Sequence, residues 1–173
     1  MHMNEQREIQ ADPATVYAAL LDADVLQACV PGANEVTGNP QDGYSASVTQ
    51  KIGPVKATFT GHVSMSDMVE NQQLTITGEG KGGVAGFAKG GANVTLSATD
   101  TGTLLVYEVD AKVGGKLAQL GSRLIDGVAK KLADQFFTNL QNQIETPSQD
   151  SLQNPQEALG EKTGWFKKVT GRG

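Results

Sequence analysis

Over most of this chain apolar and polar residues alternate, and past residue 114 the apolar spacing changes to every third or fourth position. Tyr44, Ala46, Val48 and Ile52 alternate with polar neighbours. Val55, Ala57, Phe59, Gly61, Val63 and Met65 then interleave with Lys56, Thr58, Thr60, His62, Ser64 and Ser66. Successive side chains of a strand point to opposite faces, so this pattern predicts antiparallel strands buried on one side. Ile52-Gly53-Pro54-Val55 reads as a tight connection between two of them. Further strands are predicted at residues 73–78, 92–98 and 103–113, with Asp100-Thr101-Gly102 as a turn. In the last of these Tyr107, Val109, Ala111 and Val113 share one face, and Glu108, Asp110 and Lys112 share the wet one.

Helices are predicted at both ends of this run. Asp12 followed by Pro13 marks a helix start: the carboxylate accepts free backbone N–H groups, and proline at the first position has none to satisfy. A second short helix is expected over 24–29, stopping at Val30-Pro31-Gly32, and residues 4–11 read as an edge strand. The long helix opens in Gly114-Gly115-Lys116 and carries Leu117, Leu120, Leu124, Val128, Leu132, Phe136, Leu140 and Ile144 on one stripe, ending near Glu145-Thr146-Pro147. Two helices, about six strands and a long final helix predict an α+β fold in which a curved antiparallel sheet grips that helix. Strand alternation and the helical stripe put Phe59, Val63, Met65, Tyr107, Val109, Leu120, Leu124 and Val128 on facing surfaces. Gly121 beside the stripe would widen the space between the layers, which points to binding of an apolar ligand.

The organisation predicted is a domain over 1–145, then a polar linker and an amphipathic tail over 146–173. The tail contains the only tryptophan, and from Lys162 onward it has four cations and no acid. Trp165, Phe166 and Val169 with Lys162, Lys167, Lys168 and Arg172 fit an interfacial membrane anchor; the bland alternative is a disordered tail with incidental aromatics. No apolar run approaches the length of a membrane span and no signal segment is recognised, so the expected location is cytoplasmic, with peripheral contact to the membrane.

Charge and chemistry narrow the function further. Residues 1–144 hold 15 acids against 10 bases, which argues against binding nucleic acid. A single cysteine, Cys29, allows no internal disulfide, and burial is its expected state. His62 is expected to face outward and His2 to lie in a frayed terminus, so no metal site is predicted, nor any cofactor. Gly78-Glu79-Gly80-Lys81-Gly82-Gly83 matches G-x-G-x-x-G but lacks the helix that dinucleotide binding requires. The glycine-rich run to Gly91 is expected to be a flexible connection that gates a cavity mouth, with Phe87 as its large apolar side chain. Nothing assembles an acid, a base and a nucleophile, so the chain does not read as an enzyme.

Three phrases together resemble the CoxG family, named for a component of carbon monoxide dehydrogenase, within the START-like helix-grip (SRPBCC) superfamily. They are Leu21-Asp22-Ala23-Asp24-Val25-Leu26-Gln27-Ala28-Cys29-Val30-Pro31-Gly32, Val55-Lys56-Ala57-Thr58-Phe59-Thr60-Gly61, and Val113-Gly114-Gly115-Lys116-Leu117-Ala118-Gln119-Leu120-Gly121-Ser122-Arg123. The resemblance covers about residues 3–144. It implies a sheet wrapped around a C-terminal helix with an apolar cavity, a molybdenum-containing dehydrogenase as partner, membrane recruitment, and a quinone or lipid as ligand. Three functions stay open at this point: a quinone carrier, a recruitment or maturation factor with an incidental cavity, and an enzyme of the same fold.

Overall fold

The computed structural model describes residues 1–152, with side chains described to residue 145. The chain divides into one unit over Met1–Leu140 and a second from Gln141 onward. The first contains seven strands: β1 (His2–Ile9), β2 (Ala33–Asn39), β3 (Gly43–Ile52), β4 (Val55–Val69), β5 (Gln73–Lys81), β6 (Phe87–Ala98) and β7 (Thr103–Gly114). They form a single curved antiparallel sheet in the order β1-β7-β6-β5-β4-β3-β2. Helices α1 (Pro13–Leu20) and α2 (Ala23–Cys29) precede β2, and α3 (Lys116–Gln119) and α4 (Ser122–Leu152) follow β7. The architecture is the α+β helix grip expected from the alternation.

Local chemistry sets the helix starts. Asp12 accepts from the Thr15 backbone N–H at 2.9 Å and caps α1, with proline at the first turn. Asp22 caps α2 by accepting from Asp24 and Val25 N–H groups at 2.8 and 3.3 Å. The sheet bends where glycine lets strands approach: a Cβ on Gly61 would collide with the Glu79 carbonyl, and one on Gly90 with the Asp110 carbonyl.

Most of the core sits at one end of the sheet, with Leu117 and Ala85 buried at the other. Ile9, Val16, Leu20, Leu74, Val94, Leu105, Tyr107, Phe137 and Leu140 are buried at the first end, where α1 and the later turns of α4 close over the sheet. Tyr107 stacks on Phe137 with centroids 4.7 Å apart, and Phe136 meets Phe137 edge-on at 5.0 Å. Arg7 of β1 lies 5.8 Å from the Phe137 ring centroid and reaches Asp134 at 3.4 Å. Asn139 donates to the Cys29 carbonyl at 2.9 Å, tying α4 to the end of α2.

Four sequence readings need correction. The glycine-rich run is not a long loop: β5 and β6 pass straight through Gly78, Gly80, Gly90 and Gly91, and the connection is one tight turn over Gly83–Ala85. The long helix is broken, because Gly121 has φ +92° and separates α3 from α4. β2 is a strand that the alternation does not predict. His2 is not frayed, since it lies in β1 with Nδ1 2.9 Å from Asp110 Oδ1. In the second unit the described residues continue α4 to Leu152, beyond the expected end, with Gln141 Nε2 donating to Glu145 Oε2 at 3.4 Å. The tail residues Lys162, Trp165, Phe166, Lys167, Lys168, Val169 and Arg172 lie outside the described residues.

Candidate ligand cavity

The side chains on the inner face of the sheet shrink from the α1 end toward its middle. Nearest α1 the cross-strand row is Leu74, Val94 and Tyr107; the next is Met65, Ile76, Ala92 and Val109. Then come Tyr44, Val63, Gly78, Gly90 and Ala111, and after them Ala46, Gly61, Gly80, Ala88 and Val113. Where the inward residues are glycine and alanine, nothing fills the gap between sheet and helix, so space opens there.

That space consists of adjoining pockets. The deepest, about 300 Å³, is lined by Val36, Tyr44, Val63, Met65, Val94, Tyr107, Phe136 and Phe137 among others, with no charged side chain. The Tyr44 hydroxyl is occupied, donating to the Leu21 carbonyl at 2.7 Å. Ala46, Val48, Val63, Ile76, Ala92 and Val109 are shared with a second pocket of about 370 Å³, which Phe59 and Gly80 also line and which reaches His62, Glu79, Lys89 and Asp110. Ala88 and Ala111 carry the lining on into a third of about 530 Å³ under α3 and the first turns of α4. Its wall is Ile52, Val113, Leu117, Gly121, Ile125, Val128 and Leu132, its polar side chains are Ser122 and Asp126, and Lys112 borders it from the strand β7.

Of the residues named from sequence, Phe59, Val63, Met65, Tyr107, Val109, Gly121 and Val128 line these pockets. Phe87, Leu120 and Leu124 do not. Ala88 points inward, so Phe87 falls on the other face, where a Cβ on Gly114 would run into its ring. Leu120 forms the C-terminal cap of α3, and Leu124 is 37% exposed, leaning over Gly53 in the β3–β4 turn. The break at Gly121 resets the helical phase, which brings Ile125 rather than Leu124 onto the cavity. Sequence reading also missed Ser122, Asp126 and Lys112, because on a helix start and the polar side of a strand they look like ordinary surface.

Burial shifts the ionisation of interior groups. Burial pushes the Cys29 thiol up to about 11, and burial with the nearby Glu5 carboxylate raises the Tyr107 hydroxyl above its ordinary range. Among the described residues no group of His, Cys, Asp and Glu is placed to hold a metal ion. No described helix is long and apolar enough to cross a membrane.

The family profile for CoxG, a component of carbon monoxide dehydrogenase, matches residues 6–145. The chain belongs to the CoxG family. A conserved protein of known structure from Geobacillus kaustophilus is 28% identical to this CoxG-family chain, with a TM-score of 0.79 over 84% of this chain and 96% of that one. A START superfamily protein from Mycobacterium smegmatis is 15% identical, with a TM-score of 0.63 over 84% of this chain and 98% of that one; this likeness carries the fold alone. A protein from Rhizobium leguminosarum, 16% identical, gives 0.62 over 84% and 95%. Among curated proteins none matches.

Proposed function

We propose that this CoxG-family protein binds one long apolar molecule, a membrane quinone, between its sheet and α4 and carries it between the bilayer and a molybdenum-containing dehydrogenase such as carbon monoxide dehydrogenase. The observation behind this reading is the run of three adjoining pockets: the deepest has no charged side chain, the second is apolar except where it reaches His62, Glu79, Lys89 and Asp110, and the third adds Ser122 and Asp126. An isoprenoid chain matches the deep part, and a quinone ring, with two carbonyl acceptors, matches the Ser122 hydroxyl as donor. In this reading the protein hands the quinone to a partner enzyme and performs no chemistry on it. The carbon monoxide dehydrogenase link comes from the name of the family.

In this reading the protein works at the cytoplasmic face of the membrane, and its tail is a reversible anchor. Trp165, Phe166 and Val169 supply the apolar contact while Lys162, Lys167, Lys168 and Arg172 meet anionic lipid, each cation contributing about 1 kcal/mol near the surface. Mass spectrometry of lipids extracted from natively purified protein tests the carrier. A long-chain quinone recovered with the folded protein is the expected result. Protein that purifies empty and takes up no quinone from vesicles is instead a recruitment factor. The anchor is tested by Trp165→Ala with Phe166→Ala in the full chain, which should weaken vesicle co-sedimentation while keeping every charge.

A further inference from the structure

The charges of the first unit are sorted along the strand axis. At the end closed by α1, the connections over 10–24, 39–43, 66–73 and 98–103 hold seven carboxylates, including Asp42, Asp67, Glu70 and Asp100, and no lysine or arginine. At the other end the segments 51–56, 81–87 and 114–126 hold Lys51, Lys56, Lys81, Lys116 and Arg123 against Asp126 alone. Antiparallel order brings these three segments together, because the ends of β3, β5 and β7 and the starts of β4 and β6 lie on one side of the sheet. All five cations are exposed, and among the described residues none is joined to a carboxylate. Lys51 and Lys56 even face each other as register partners, an arrangement that opposes folding.

The same end presents apolar side chains to solvent. Val84, at the tip of the Gly83–Ala85 turn, is 85% exposed while its neighbour Ala85 is 2% exposed. Leu124 leans over the β3–β4 turn nearby, and the pocket beneath α3 and α4 is walled by Ile52 of that turn. Met68 and Val69 are also exposed, but they sit at the acidic end between Asp67 and Glu70, the wrong sign for an anionic surface.

We propose that the cationic end of the body is a lipid-docking face, which sets the cavity mouth down on an anionic bilayer. Lys51, Lys56, Lys81, Lys116 and Arg123 meet headgroup phosphates, Val84 and Leu124 enter the interfacial layer, and the acidic end is held away from the surface by like charge. An apolar tip ringed by cations fits a fluid interface, which demands no shape complementarity; an acidic protein surface would be the competing partner. The inference rests on the carrier reading for what crosses the mouth, and the docking is tested without it.

The experiment uses the full chain and quinone-free vesicles of phosphatidylcholine with or without phosphatidylglycerol. An environment-sensitive fluorophore is attached at Val84→Cys or, as the far-end control, at Asp100→Cys; Cys29 is buried and does not compete for the label. On phosphatidylglycerol vesicles the label at position 84 should shift to the blue and the label at position 100 should not, and neither should shift on phosphatidylcholine alone. Lys51→Gln with Lys56→Gln should weaken binding about 25-fold at low salt, at roughly fivefold per charge. Val84→Asp should abolish the shift reported from a label at Leu124→Cys with circular dichroism unchanged. A label at position 84 that stays in water while the protein co-sediments overturns the proposal and leaves the tail as the sole anchor. Lysine variants that bind vesicles normally but lose a protein partner overturn it as well. Quinone recovered from such a protein would leave the carrier reading standing.

Discussion

The cavity owes its existence to what is missing at single positions, and absent side chains are hard to read. Gly78-Glu79-Gly80 and Ala88-Lys89-Gly90 obey the same period-two rule as the other strands, with glycine and alanine as the inward members. Period-two reading scores hydrophobic residues, so it registers a loop where the strand is lined with nothing. Gly80 is the position at which this can be tested. A Cβ there would meet only ordinary contacts, with Phe59 Cβ at 3.7 Å, and its φ is not in the left-handed region. Gly80→Leu should lower quinone affinity at least tenfold in a fluorescence titration and leave the melting temperature nearly unchanged. Gly121→Leu is a poorer test, because φ +92° strains any side chain whatever the room around it. Cys29 gives a pH prediction. Its thiol stays protonated in the folded chain up to about 11, while the unfolded thiol ionises near its ordinary 9.0. The unfolded state therefore sheds its proton first, and stability falls as pH rises between those values. Denaturant midpoints should drop across this range, and Cys29→Ala should reduce the slope without removing it. The residual slope belongs to Tyr17, Tyr44 and Tyr107, whose hydroxyls burial also pushes up.

Among the elements, those with a strong one-sided pattern were legible and those without one were not. α1, α2 and the β3–β4 hairpin follow from caps, proline and alternation. β2 is an edge strand, Ala33-Asn34-Glu35-Val36-Thr37-Gly38-Asn39, with Val36 as its only large apolar residue, so pairing to β3 creates it rather than local preference. In α4 the stripe was visible but its phase was not, because a glycine in left-handed conformation looks like any small residue on a stripe. The helix is packed unevenly: Phe137 and Leu140 are buried, whereas Ser122, Arg123, Leu124, Asp126 and Gly127 are exposed. Phe137→Ala should destabilise by about 3–5 kcal/mol, since it removes a ring held by Tyr107, Phe136 and Arg7. Ile125→Ala, over the open pocket, should cost clearly less than Phe137→Ala in chemical denaturation, because the cost scales with how tightly the site is packed. Amide exchange should be correspondingly faster over 122–127 than over 136–140.

At the scale of the whole molecule, the sequence carried the fold class and the chain's resemblance to its family; it did not carry the sorting of charge, which appears only when the antiparallel order brings distant segments to one end. The sheet order has a further consequence, for the route by which the chain folds. From β2 to β7 every neighbour in the sheet is also the next strand in sequence, so each pairing closes a short loop. β1 is the exception: His2 to Ile9 pair with Asp110 to Thr103, across some ninety residues of chain. Closing that loop costs more entropy than closing any hairpin, so the β1–β7 seam should form after the meander, late in the folding reaction. Met3→Ala, opposite Val109, should then speed unfolding in stopped-flow measurements and barely change the folding rate. Val94→Ala, inside the meander, should slow folding instead.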